Sequence, residues 1–198
     1  MSLDVVGRGL GPAFPEPVLD SQRTFRAVLE AMSHPGMVVS LPPFGSPPPG
    51  LAAAAVATVL TLVDFDTPLW LDPAASSAAD FFRFHCNCRV AEAPEDASFA
   101  LIADPSQMPR LSAFRAGSDE FPDRSATLVL QVDAFAEQGR RFRGPGIRNA
   151  IAFSARPLPA DFDQQWRDNM ALYPRGVDLI MASDRAVAAL PRSSQMES

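Results

Sequence analysis

The chain of 198 residues contains no lysine; all 17 members of its Lys and Arg set are arginine. That absence excludes a lysine Schiff base to pyridoxal phosphate or to a carbonyl substrate. It also excludes a Walker-type phosphate loop, which needs Gly-Lys-Ser/Thr. Any anion held by a side-chain cation is therefore held by Arg or His. Histidine is scarce, with only His34 and His85 as candidate bases, and there is no Gly-x-Ser-x-Gly elbow, so a serine hydrolase has little to be built from. The 2 cysteines, Cys86 and Cys88, are too few for a disulfide framework and too close for a relaxed bridge. Met1 to Leu10 lacks the apolar centre of a signal peptide, and the longest apolar run, Leu51 to Val63, is too short to span a bilayer. A soluble, reduced, cytoplasmic protein is expected. The net charge of −6 and pI near 4.9 argue against a general nucleic-acid binder.

What is present fits one globular domain. The hydrophobic fraction is 47%, and a chain of this size should bury roughly 70% of its unfolded surface. Proline, at 20 residues, is about twice average usage and predicts long ordered loops. Residues 1–19 are Gly- and Pro-rich and are expected to lie loosely. Residues 20–192 form the domain, and 193–198 a disordered tail.

Asp20-Ser21 can cap a first helix, with Phe25, Val28, Leu29 and Met32 as its apolar stripe and Arg26–Glu30 as a solvated pair. Pro35-Gly36 stops it. Met37 to Leu41 is a short strand, and Pro42 to Gly50, with five prolines, an extended loop. Leu51 to Val63 reads as an Ala-rich helix, apolar nearly all round and so buried. Leu69-Trp70-Leu71 is a strand, Ala74 to Phe84 a helix, Phe99 to Ala103 a strand and Leu111 to Ala116 a short helix. Ala126 to Val132 is a buried strand that a turn over Asp133 to Gly139 joins, as a hairpin, to Arg140-Arg141-Phe142-Arg143. Ala150 to Phe153 is a strand. A long helix follows Pro159 and Asp161, with Phe162, Trp166, Met170 and Tyr173 on its buried face. Val177 to Ala182 and Ala186 to Leu190 make a last hairpin. Helices and strands interleave early and hairpins dominate late, which predicts a three-layer α/β domain with a mixed sheet.

One stretch carries candidate chemistry. The strand of arginines runs into Gly144-Pro145-Gly146-Ile147, so Arg141, Arg143 and Arg148 lie close to backbone amides that a glycine turn leaves bare. Such a site suits a phosphate or phosphonate; the plainer alternative is a hairpin with solvated arginines. Arg83-Phe84-His85-Cys86-Asn87 gathers a cation, an imidazole and an amide at a helix end, which capping alone could explain. His85, Cys86 and Cys88 with His34 could in principle ligate zinc, but Cys-x-Cys is not a common finger spacing; the alternative is two small buried thiols. Asp178 begins an apolar strand, where pairing with an arginine such as Arg175 is preferred to a general-base role.

An ordered series of motifs resembles the PhnH family, subunits of the bacterial carbon–phosphorus lyase system. Phe25-Arg26, Ala31-Met32-Ser33 and Pro35-Gly36 open it. Leu60 to Asp64, Asp66 to Leu71, Arg83-Phe84-His85, Thr127 to Val132 and Gly144 to Ile147 continue it. Pro174-Arg175-Gly176-Val177-Asp178-Leu179-Ile180 and Leu190-Pro191-Arg192 close it. The motif residues are thus Arg26, Pro35, Gly36, Gly176, Asp178 and Arg192. The resemblance implies a homodimeric α/β fold like a reduced pyridoxal-phosphate transferase domain without the cofactor lysine. It implies no cofactor or metal of the chain's own. It implies a core assembly with PhnG-, PhnI- and PhnJ-like subunits. There, with PhnG-, PhnI- and PhnL-like partners, ribose triphosphate passes from ATP to a phosphonate, before a PhnJ-like subunit breaks the C–P bond. It carries over no catalytic residues. Cys86 and Cys88 stand outside the pattern, His34 sits where relatives vary, and His85 lies within the match. A second expectation is an independent phosphonate- or nucleotide-binding enzyme gripping its ligand with Arg83, His85, Arg143 and the Gly144–Gly146 turn.

Overall fold

A computed structural model describes residues 13–197. Helix α1 (Pro17–Ser33) is followed by β1 (Val39–Ser40), α2 (Ala53–Leu62), β2 (Leu69–Leu71), α3 (Ala79–Cys86) and β3 (Phe99–Ile102). Then come β4 (Thr127–Gln131), β5 (Ala134–Arg143), β6 (Ile151–Arg156), α4 (Phe162–Met170), β7 (Asp178–Ala182), β8 (Ala186–Leu190) and β9 (Gln195–Met196). Six strands form one mixed sheet in the order β1-β8-β7-β4-β3-β2, in which β2, β3, β4 and β7 run parallel. A smaller antiparallel sheet has the order β6-β5-β9.

The large sheet separates two cores because successive strand residues point to opposite faces. Leu101, Val129, Ile180 and Ala189 face α1, α2 and α3. Leu128, Leu130, Leu179, Met181 and Leu190 face Phe142 and Phe153 of the small sheet and Phe162 and Trp166 of α4. Strand β4 is apolar on both faces and therefore sits between β3 and β7. The last hairpin forms as expected, β7 pairing with β8.

Several expectations change. Strands β4 and β5 are not a hairpin: β4 joins the large sheet and β5 the small one, paired with β6 and β9. A strand apolar on both faces takes two apolar-covered neighbours, whereas β5, with its exposed arginines, covers one face only. The expected turn over 133–139 is mostly strand, with a register shift between Ala136 and Arg140. Helix α1 starts before Asp20, which lies inside it, buried, and accepts a hydrogen bond from the Glu16 amide (3.0 Å). Its buried face is Thr24, Val28 and Ala31, while Phe25 and Leu29 are exposed. Alanines of α2 leave room only for small side chains between the two helices, so the larger ones turn outward. Glu30 pairs with His34 (3.2 Å) rather than with Arg26. The segment from Ala74 becomes a short 3-10 turn followed by α3, and the one from Leu111 a single 3-10 turn. Helix α4 is only 9 residues long; Tyr173 lies beyond it and is exposed. The tail expected to be disordered adds β9, and Ser194 is fully buried. Asp178 pairs with Arg192, whose amide and guanidinium both donate to it, while Arg175 pairs with Asp119 (3.0 Å).

Candidate functional site

The chain places its two most recognisable turns against each other. Gly146 adopts φ +77°, a conformation that L side chains rarely take, and a Cβ there would overlap the Ser33 carbonyl and lie 2.9 Å from Pro35 Cδ. A Cβ on Gly36 would in turn overlap Ile151. The amide of Gly36 donates to the Ala189 carbonyl (2.9 Å), which fixes this corner to β8. The end of α1 and the Gly144–Ile147 turn, more than a hundred residues apart in sequence, therefore interlock through missing side chains. Between them opens a cleft of about 400 Å³ whose walls include His34, Met37, Glu137, Gly146 and Arg148. His34, which sits where relatives vary, lines this cleft; its Nδ1 lies 3.2 Å from Glu30.

Arg141 and Arg143 do not reach that cleft. They alternate with buried Phe142 and so share the outer face of β5, where both pair with Glu197 beside β9 (Arg141 Nε–Oε2 2.8 Å). The two guanidiniums, Arg141 first and then Arg143, hold the Glu197 carboxyl below the usual carboxylate range. Arg140 turns inward, pairs with Asp163 and lies 5.1 Å from the Phe162 ring centre. Arg140, Arg141, Asp163 and Glu197 border a second groove, of about 460 Å³, which Arg167 also lines.

Arg83 and His85 are on α3, against the other core. Arg83 pairs with Asp80 one turn earlier (2.9 Å). The His85 ring packs 4.4 Å from Phe81 and 5.0 Å from Phe84. Its Nε2 is buried and, among the described residues, lacks a hydrogen-bond partner. Burial lowers its pKa, so the imidazole is neutral at pH 7. It lines a third cavity, of about 340 Å³, walled by Phe14, Pro17 and Leu60. The three cavities share no lining residue, so the geometry does not bring Arg83 and His85 together with Arg143 and the glycine turn. Cys86 and Cys88 are buried free thiols; the Cys88 sulfur and burial push the Cys86 thiol up. No three His, Cys, Asp or Glu side chains among the described residues gather as a metal site.

Sequence reasoning passed over Asp163, Arg167 and Glu197. Glu197 sat in a stretch with no periodicity, and Arg167 looked like the wet side of an amphipathic helix. The alternation Arg141-Phe142-Arg143 was the legible signal; what it faces was not.

Fold and surfaces together define a class: a two-cored α/β domain whose signature turns brace each other and whose cations lie in open grooves rather than around a closed reaction centre. The family described as "Bacterial phosphonate metabolism protein (PhnH)" matches residues 12–197. The chain is 39% identical, over 93% of its length and 94% of the relative's, to the "Alpha-D-ribose 1-methylphosphonate 5-triphosphate synthase subunit PhnH" of Rhizobium meliloti (strain 1021). It is 32% identical, over 88% of its length and 85% of the relative's, to the "Putative C-P lyase subunit protein HtxG" of Stutzerimonas stutzeri. The chain belongs to the PhnH family.

Proposed function

We propose that this chain is a subunit of a carbon–phosphorus lyase assembly in phosphonate breakdown. With PhnG-, PhnI- and PhnL-like partners it supports transfer of ribose triphosphate from ATP to an alkylphosphonate, and it contributes contact surface rather than bond-breaking groups. Its relatives' names, as subunits of a methylphosphonate triphosphate synthase and of a C-P lyase, support the pathway. The observation that carries the subunit role is the outer face of α1. Val18, Phe25 and Leu29 fall on one line of the helix and are 82%, 50% and 55% exposed, and Met37 and Val38 extend the strip beyond its end. A contiguous apolar strip of this kind marks a surface that another chain covers.

The strip is also self-complementary. Around a two-fold axis near residues 27–28, an antiparallel copy sets Phe25 against Leu29 of the partner subunit and Arg26 against Glu30 of the partner subunit, twice over. This supports a homodimer, and the domain is read as a reduced pyridoxal-phosphate transferase fold working in the cytoplasm. No helix among the described residues is long and apolar enough to cross a membrane. Co-expression with the other lyase subunits tests the role: the chain is expected to co-purify with them, and a chain that stays apart overturns it. Sedimentation tests the dimer. Arg26→Glu should dissociate it and Arg26→Glu with Glu30→Arg restore it; a monomer in the unmodified protein refutes that part.

A further inference from the structure

We propose that the groove between β5, β9 and α4 is an oxyanion site for a diphosphate group, held at rest by the chain's own Glu197 carboxylate. The site goes beyond the assembly role and can exist without it. Arg141 and Arg143 project from one face of β5 and close on the same carboxylate. Guanidinium forks that share one anion are the arrangement that phosphoryl oxygens accept, because planar donors match paired oxygens. Beside them, Arg140 and Arg167 border the cavity of about 460 Å³, and Asp163 is the carboxylate facing them. Four cations thus meet two anions, Asp163 and Glu197, on a chain whose net charge is −6. A local positive excess on an acidic protein concentrates anions at that point.

Glu197 can leave without unfolding its strand. Met196 is buried and lies opposite Phe142. The Ser194 carbonyl accepts a hydrogen bond from Trp166 Nε1 (3.2 Å), and the Glu197 amide donates to the Arg141 carbonyl (2.9 Å). Those contacts fix the backbone, while the Glu197 side chain lies at the surface with 26% of its area exposed. Rotation about its own bonds therefore frees both arginines. The two carboxylates explain the ligand class. Glu197 holds Arg141 and Arg143, and Asp163 holds Arg140, so a diphosphate, with two linked anionic groups, can replace both carboxylates, while a lone phosphate replaces one. Free pyrophosphate and the diphosphate of a nucleotide share this chemistry.

Titration calorimetry of the purified chain with inorganic pyrophosphate at low salt tests this. Glu197→Gln, which removes the competing charge, should bind about tenfold tighter than the unmodified protein. Arg141→Ala with Arg143→Ala should bind at least about tenfold more weakly, and orthophosphate should bind about tenfold more weakly than pyrophosphate. Arg167→Ala leaves every tail contact in place and should weaken binding severalfold, which keeps the test decisive if changes at Glu197 loosen β9. ATP in place of pyrophosphate separates the sources: tighter binding assigns a nucleotide, weaker binding the free ion. Absence of pyrophosphate binding to Glu197→Gln, or binding unchanged by the arginine substitutions, overturns the proposal. Co-purification with the lyase subunits is scored separately, so either reading can fail while the other stands.

Discussion

The large sheet is covered by different materials on its two faces. On one face α2 presents Ala54, Ala55, Val56, Ala57 and Val59, all nearly inaccessible, so backbones approach closely and the layer is thin. On the other face Phe142, Phe153, Phe162 and Trp166 fill the space beneath the small sheet and α4. The outer surfaces differ in the opposite sense. The thin layer ends in the exposed apolar strip of α1, and the aromatic layer in the arginine groove. Small side chains inside push large ones outward on α1; an aromatic interior leaves the outside of β5 free for charge. On the readings proposed above, one face meets protein and the other an anion.

The aromatic face should break by emptying. Trp166 is fully buried, stacks 6.2 Å from Phe162 and satisfies the Ser194 carbonyl. Trp166→Ala should cost about 3–5 kcal/mol in urea unfolding. It should also release β9, seen as faster amide exchange at Met196 and Glu197 than anywhere in β7. The corner that ties the two faces together comes next. Gly146→Ala places a methyl group in the Ser33 carbonyl and forces a left-handed backbone, for roughly 3 kcal/mol. Gly50→Ala is the control: it shares the left-handed backbone (φ +83°) but meets nothing within 4 Å, and should cost about 1 kcal/mol. Equal losses at the two glycines would remove the interlock argument. The thin face should break by overfilling, Ala57→Leu costing about 1–3 kcal/mol by the same measurement.

How much of this was legible follows the same division. Strand β4, helix α2 and the β7–β8 hairpin could be read because their burial is nearly complete, and composition alone reports it. Helix α1 showed its period but not its phase. Phe25 and Leu29 look like core by hydrophobicity; Val28 of the same stripe does face inward, but with Thr24 and Ala31, beside the alanines of α2, in place of the two larger residues. Strand β5 misled because Asp133 to Gly139, polar or small but for Phe135, reads as a turn, whereas pairing with β6, with the register shift falling next to Gly139, keeps it extended. The alternating arginines were visible; the tail that supplies Glu197 was not, since two residues of strand carry no period. Motif glycines at 36 and 146 announced turns but not their mutual contact, which is a tertiary fact.

Changes to the outer strip should leave the fold nearly untouched. Leu29→Ser is expected to stay within about 0.5 kcal/mol of the unmodified chain, because that side chain is already half in water. It should nonetheless lower self-association in sedimentation. A large stability loss without dissociation would return Leu29 to the core and erase the contrast between the faces.

The smallest effect separates the faces by pH. On the helical face, burial lowers the His85 pKa from its ordinary 6.5, so the unfolded chain takes up a proton there before the folded one does. Stability is unaffected above 6.5 and declines as pH falls below it, down to the folded value. On the groove face, Arg141 and Arg143 lower the Glu197 pKa from 4.5, so its contribution is complete above 4.5 and is lost as pH falls through the folded value. The windows do not overlap at their upper edges. His85→Gln should therefore flatten the stability curve just below 6.5, and Glu197→Gln should lower stability evenly above 4.5 and change the slope of the curve only below it. A ring titration of His85 by NMR with a midpoint at or above 6.5 would show that its Nε2 meets water or a partner, against the burial seen here.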